Sequence, residues 1–393
     1  MAARRIAFYA PLKAPTHPTP SGDRRMARLL IRALETAGAQ VELASDFRSY
    51  DGQGDAARQT ALRTEGGIVA DRLIGQYRAL ADGARPTAWF TYHLYHKAPD
   101  WIGPKVAKAL KIPYLVAEAS FAPKQAGGRW DLGHCATARA ITAADCVFCL
   151  TRLDMACVRP LISTAHQLRF LPPFLDSQPF TRIQTEPAQA ERNIRYGRAE
   201  IARRFGLDPE RRWLLTVAMM RPGDKLRSYQ RLGAALGCLG GNDWQLLVVG
   251  DGPARDQAVA ALAPIRQNSD SNLILAGSLP LAQLPEIYAA CDLYLWPGVG
   301  EAYGMAYLEA QAAGLPVVAG NERGVPDVVR HAETGLLTAP GDDAAFAAAT
   351  RQLLDNTDLR HKLSSGARAF VRGERTVAAA AQSIGDALGE IMP

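Results

Sequence analysis

From residue 212 to 320 the chain sets down five short apolar runs, at 212–220, 244–250, 272–277, 292–297 and 315–320, with helix-like or turn-like segments between them. Runs of this length bounded by turn residues read as strands buried on both faces. Their alternation with helical segments reads as βα units of a parallel sheet. The first half repeats the pattern, with strands expected at 5–10, 40–45, 87–93, 112–120 and 144–150. Between the first two lies a helical stretch, 21–38, whose Met26, Leu29, Leu30, Ala33, Leu34 and Ala37 share one face. A chain of 393 residues is too long for one core. The fold class is therefore α/β, with two doubly wound, Rossmann-like domains.

Charge is uneven. Residues 1–178 carry 23 Lys and Arg against 15 Asp and Glu, an excess of eight, and the remainder is slightly acidic. A solubility charge explains this as well as an anionic acceptor or a membrane surface does. No apolar run approaches the ~20 residues that cross a bilayer, and the short apolar start before Pro11 reads as a strand rather than a signal peptide. The six cysteines are scattered. Cys146 and Cys149 have metal or redox spacing but sit in an expected buried strand with no second ligand pair nearby, so they read as reduced core thiols. A cytoplasmic location follows, with the inner face of the membrane as a second option, and no nucleic-acid partner is expected.

Glu301 and Glu309 follow the strand at 292–297. On one helix, eight residues rise ~12 Å in slightly over two turns. Two carboxylates so placed share roughly one face but cannot grip one atom. They suit the two ends of an elongated ligand, and a helix N-terminus beside Glu301 suits a phosphate. That order fits a nucleotide-sugar, whose hydroxyl-bearing ends flank a diphosphate.

Five blocks fall in order: Asp292 to Pro297, Glu301 to Ala310, Gly314 to Val318, Gly324 to Asp327 and Thr334 to Leu337. Together they resemble the donor-site signature of retaining nucleotide-sugar glycosyltransferases of the GT-B fold, the family 4 group. The resemblance implies two Rossmann-like domains facing across a cleft: an acceptor domain at 1–178 and a donor domain at 179–375. It also implies that a C-terminal helix at about 376–393 crosses back to the first, and that 171–180 is the hinge. Glu301 would meet the donor sugar and Glu309 the nucleotide ribose. Gly304 and Met305 would supply amides to the phosphates, with Tyr303 against donor or acceptor. Arg221 and Lys225 would neutralise the departing diphosphate, although their spacing is four rather than the usual five, leaving Arg227 as a substitute. Gly277 and Ser278 would border the nucleobase through backbone contacts. UDP is favoured, with GDP and ADP open. No metal and no cofactor are expected.

The glycines at 250 and 252 fail as a dinucleotide fingerprint because Arg255 stands at the third position, so Gly250 reads as a packing residue. On the acceptor side, Gly22 matches the family's opening loop. His93 belongs to a segment at 91–101 read as a loop lining the acceptor cleft. The histidine that many members carry after the fourth strand is missing, and Glu118 or Ser120 stands in its region, with His134 unplaced. Arg24, Arg25, Arg28 and Arg32 read either as a dock for an anionic headgroup or as a solvated helix face. The acceptor is left among a membrane lipid, a cell-envelope glycan intermediate and a soluble metabolite. Two other readings stay open: a nucleotide-sugar epimerase or phosphorylase of the same fold, and a non-catalytic nucleotide-sugar binder.

Overall fold

The structure, a computed structural model, describes residues 4–19, 21–181, 197–266 and 272–392. The chain divides into two compact units. One comprises residues 1–172 with Val377–Pro393, and the other Pro173–Thr376.

The first unit is built on six parallel strands: β1 (Arg4–Tyr9), β2 (Ala39–Ser45), β3 (Ala88–Leu94), β4 (Tyr114–Ala119), β5 (Cys146–Cys149) and β6 (Leu168–Phe170), in the order β2-β1-β3-β4-β5-β6. The helices are α1 (Gly22–Thr36), α2 (Ala56–Ala79), α3 (Gly103–Leu110), α4 (Asp131–Ala143) and α5 (Arg152–Val158). Helix α1 starts where Ser21 caps it, its hydroxyl accepting from the Arg24 N–H at 3.2 Å. It buries Met26, Leu29, Leu30, Ala33 and Leu34, five of the six residues on the expected face. Strands β3 and β4 are apolar on both faces and almost wholly buried, as a central parallel strand must be. Tyr9, Trp89, Val116, Ile141 and Val147 fill one core layer. Each fully buried side chain of this size stabilises by roughly 1.5–3 kcal/mol. The C-terminal helix, Val377–Ile391, belongs to this unit and packs on α1.

The second unit has six parallel strands: β7 (Arg212–Val217), β8 (Trp244–Val249), β9 (Leu273–Gly277), β10 (Leu293–Trp296), β11 (Val317–Gly320) and β12 (Gly335–Thr338), in the order β12-β11-β10-β7-β8-β9. The expected polar helix near 193–206 is described only over 197–205, and its first residues lie outside the described ones. Two edge strands, β6 and β12, were not expected. They are three and four residues long and carry little pattern.

The strand order positions the functional residues. In a doubly wound sheet, loops leave the carboxyl ends toward opposite faces where the order reverses, and that crevice is where ligands bind. The reversal falls between β1 and β3 in the first unit, and between β7 and β10 in the second.

Candidate active site

Strands β7 and β10 are hydrogen-bonded neighbours, with Leu214 opposite Leu293. The loop after β7 carries Arg221 and leads into the helix Asp224–Gly237, so Lys225 lies in that helix's first turn. The turn after β10 carries Glu301. Topology thus joins residues 76 positions apart: Lys225 Nζ lies 2.5 Å from Glu301 Oε2, and the Trp296 indole N–H donates to the same oxygen at 3.2 Å. Lys225 also sits 5.4 Å from the centre of the Trp296 ring, a cation–π contact. The lysine side chain is 33% exposed and the glutamate 17%, so the pair is open to a ligand from one side. Arg221 is exposed, and its guanidinium has no partner among the described residues.

The helix near Glu301 begins later than its spacing to Glu309 implied. It spans Met305–Ala312, and Glu301 lies in the turn before it. Glycines 298, 300 and 304 all have positive φ, which breaks the helix that an uninterrupted Glu-x7-Glu reading assumes. Gly304 is the N-cap at φ +79°. A Cβ there would stand 2.6 Å from the Tyr307 ring, so the position needs glycine twice over. The N–H groups of Gly304 and Met305 have no partner among the described residues and form the open end of this helix. Tyr303 is 8% exposed and lies in the core. Glu309 is 3% exposed, and its Oε2 accepts from the Tyr288 hydroxyl at 2.9 Å.

The glycines at 250 and 252 do act in packing. A Cβ on Gly250 would lie 1.9 Å from the Ala218 carbonyl oxygen, and one on Gly252 would lie 2.3 Å from that of Met220. Their absence lets the loops after β7 and β8 close together, tied by the Met220 N–H to the Asp251 carbonyl at 2.9 Å. Gly277 ends β9 at φ +68°, and Ser278 beyond it is exposed.

Residues 213–356 match the family model "Glycosyl transferases group 1". This stretch is similar to group 1 glycosyltransferase domains. It contains both glutamates, Arg221 and Lys225. Among curated relatives, a 2-deoxystreptamine glucosyltransferase of Streptomyces kanamyceticus is 31% identical over 44% of this chain and 43% of its own length. A D-inositol 3-phosphate glycosyltransferase of Thermobispora bispora is 32% identical over 43% of this chain and 41% of its own. The chain thus spans less than half the length of these relatives. The crystal structure of Anabaena Alr3699/HepE in complex with UDP superposes with a TM-score of 0.73 at 16% identity, covering 98% of this chain and all of that one. The fold is GT-B.

Within the matched stretch, the acidic residue that opens the first motif block has a structural role. Asp292 lies at the amino end of β10, where its carboxylate accepts from Arg198, Arg212 and the Trp213 backbone N–H. Trp296 carries no signal in the sequence, because the resemblance specifies no residue type at its place in that block.

In the first unit, Gly22 is simply the first residue of α1, and a Cβ there would touch nothing. His93 is not in a loop: it lies on β3, and the chain turns only after it, between Tyr95 and Ala98. Both His93 and Glu118, near the ends of adjacent strands β3 and β4, have left-handed backbones, at φ +63° and +57°. Their side chains meet, with Nδ1 3.8 Å from Glu118 Oε1 and 3.3 Å from Asp23 Oδ1 on α1. Burial disfavours a charged imidazole. The charges of Glu118, Asp23 and Asp154, with the Asp23 hydrogen bond, outweigh it and lift the His93 pKa to about 9. Burial pushes Glu118 up to about 7, against the pull of His93. Asp154, missed in the sequence, sits at the α5 N-terminus and accepts from Ser120 and Thr151 hydroxyls at 2.7 Å. His134 is buried on α4, stacked 4.7 Å from Phe121. Arg24 and Arg28 hold the proline-rich loop, donating to the carbonyls of His17, Pro18 and Pro15. Cys146 and Cys149 are fully buried, and burial pushes the Cys146 thiol up to about 12. Among the described residues no helix is long and apolar enough to cross a membrane.

Proposed function

We propose that the chain is a retaining, metal-independent glycosyltransferase that moves a sugar from a nucleoside diphosphate sugar, with UDP preferred, to an acceptor hydroxyl held by the first unit. The observation that carries this reading is the cluster at the second sheet's reversal point: the Lys225–Glu301 pair, the exposed Arg221 and the open amides of Gly304 and Met305. Cations and a helix end together fit a diphosphate, and a carboxylate beside them fits sugar hydroxyls. The UDP complex of a protein of the same fold supports the choice of nucleotide.

In this reading the bond from the anomeric carbon to the β-phosphate oxygen breaks, and its electron pair leaves with the diphosphate. Arg221, Lys225 and the N-terminus of Met305–Ala312 stabilise the charge that develops, which lowers the barrier most at the transition state. The acceptor oxygen bonds to the same face of the carbon, and its proton passes to the departing phosphate oxygen. Glu301 orients the sugar, Glu309 accepts from the ribose hydroxyls, and Gly277 and Ser278 border the base. The test is a thermal-shift screen of UDP-, GDP- and ADP-sugars, followed by mass spectrometry of released or transferred sugar and NMR of the product anomer. Binding of no nucleoside diphosphate sugar would overturn the proposal, and an inverted anomer would remove the word retaining.

A further inference from the structure

We propose that Asp23, His93 and Glu118 form a subsite for a neutral polyhydroxyl group of the acceptor, in which His93 donates to a hydroxyl oxygen, Asp23 accepts from a hydroxyl proton, and Glu118 positions the imidazole. This rests on the glycosyltransferase reading and gives its acceptor a chemical class.

The three residues come from α1, β3 and β4, at the carboxyl side of the point where the first sheet reverses. Glu118 is 8% exposed. Its Oε1 faces the imidazole, and its Oε2 is buried without a hydrogen-bond partner. A buried carboxylate oxygen left this way is costly, as are two non-glycine residues at positive φ. Such costs persist where a site needs the geometry. The His93 side chain keeps 19% of its surface; its Nδ1 is buried at ion-pair distance from the two carboxylates, without a well-aligned hydrogen bond, and its Nε2 has no partner among the described residues. Held as an imidazolium, that edge is a donor only.

The surrounding charges choose between ligands. Asp23, Glu118 and Asp154 face His93, and Lys13 acts on Asp23, so three carboxylates stand against one imidazolium and one ammonium. A phosphate oxygen only accepts and would meet carboxylates that also only accept. An ammonium only donates and would meet the imidazolium. A hydroxyl does both and satisfies Asp23 and His93 together. Tyr92 and Tyr95 pack on the imidazole, with ring centres at 5.7 and 5.3 Å. The positive excess of the first half does not contradict this, because Arg24 and Arg28, and Arg48 toward Leu12, are committed to loop carbonyls. Among the described residues no three His, Cys, Asp or Glu side chains are arranged to hold a metal ion.

The experiment is calorimetry with myo-inositol as the neutral probe and inorganic phosphate as the anionic one, on the full chain, with UDP measured in parallel. Wild type is expected to bind inositol, with no competition from phosphate. His93→Ala should weaken inositol about tenfold, the worth of one charge-assisted hydrogen bond, and leave UDP unchanged. Glu118→Gln should bind inositol nearly as wild type at about pH 6 and at least about fivefold more weakly at about pH 8.5, because its imidazole loses its proton sooner, whereas wild type stays level. A role confined to packing would give a pH-independent loss. No inositol binding by wild type, an unchanged affinity in His93→Ala, or phosphate binding more tightly than inositol each overturns the proposal. Failure of UDP alone would instead count against the donor reading.

Discussion

Replacing Lys225 by methionine separates the two tasks that its geometry gives it. In the free protein the ammonium pairs with Glu301 Oε2 at 2.5 Å, but at 33% and 17% exposure both partners retain contact with water. Such a pair contributes at most ~1 kcal/mol, and methionine keeps the aliphatic packing. The loss in Tm should therefore stay within about 4 °C. In the proposed donor reading the same group would make a charge-assisted hydrogen bond to a diphosphate worth ~1.5–3 kcal/mol, so its loss should lower affinity by about 10- to 150-fold. The control lies in the ligand: a nucleoside lacks the diphosphate and should bind both proteins alike. Calorimetry of UDP, GDP and ADP beside their nucleosides, with a thermal melt of each protein, measures all three quantities. The reasoning fails if the diphosphate binds the variant as tightly as wild type, or if nucleoside and diphosphate lose equally.

Glu301→Gln frees Lys225 from its carboxylate, so diphosphate affinity should hold or rise while turnover falls by at least ~100-fold, checked by calorimetry and a donor-consumption assay. Gly304→Ala places a methyl 2.6 Å from the Tyr307 ring at φ +79°. It should cost ~1–3 kcal/mol in a denaturant melt and weaken diphosphate binding as its amide shifts. His93, raised to about 9 from an ordinary 6.5, adds stability in full below about pH 6.5 and loses it as pH rises through 9. Stability measured across that window should fall by on the order of 1–3 kcal/mol, and His93→Gln should flatten the slope. Asp292→Asn should lower stability by ~1–3 kcal/mol and leave nucleotide affinity within about twofold, read by melts and calorimetry on the same samples.

The long apolar strands and the buried face of α1 were legible because burial imposes periodicity, and period is what a sequence displays. The late start of the helix Met305–Ala312 was also written in the chain, in the glycines at 298, 300 and 304, but the glutamate spacing drew a straight helix through them. Other features had no local signal. Lys225 reaches Glu301 only because β7 and β10 are neighbours, and Glu118 reaches His93 only because β3 and β4 are. The basic stretch on α1 reads in sequence as either an anion dock or a solvated face, because charge can be counted there, whereas the carbonyls that Arg24 and Arg28 bind come from a loop whose path cannot be read.

Asp292 and Glu301 make the role of position plain. They flank one short strand, β10, and both are carboxylates engaged by cations and an indole or backbone N–H. At the amino end, the Asp292 carboxylate already binds Arg198, Arg212 and Trp213, so no ligand is needed to complete it. At the carboxyl end, the sheet's reversal directs neighbouring loops apart, Arg221 and Lys225 follow β7, the amides of Gly304 and Met305 follow β10, and the Arg221 guanidinium and those amides have no acceptor among the described residues. Donors left open in this way suit an anion. The first sheet poses the converse problem at its own reversal, where acceptors outnumber donors around His93. In the proposed reading a diphosphate answers the open donors of the second sheet and a polyol the acceptors of the first.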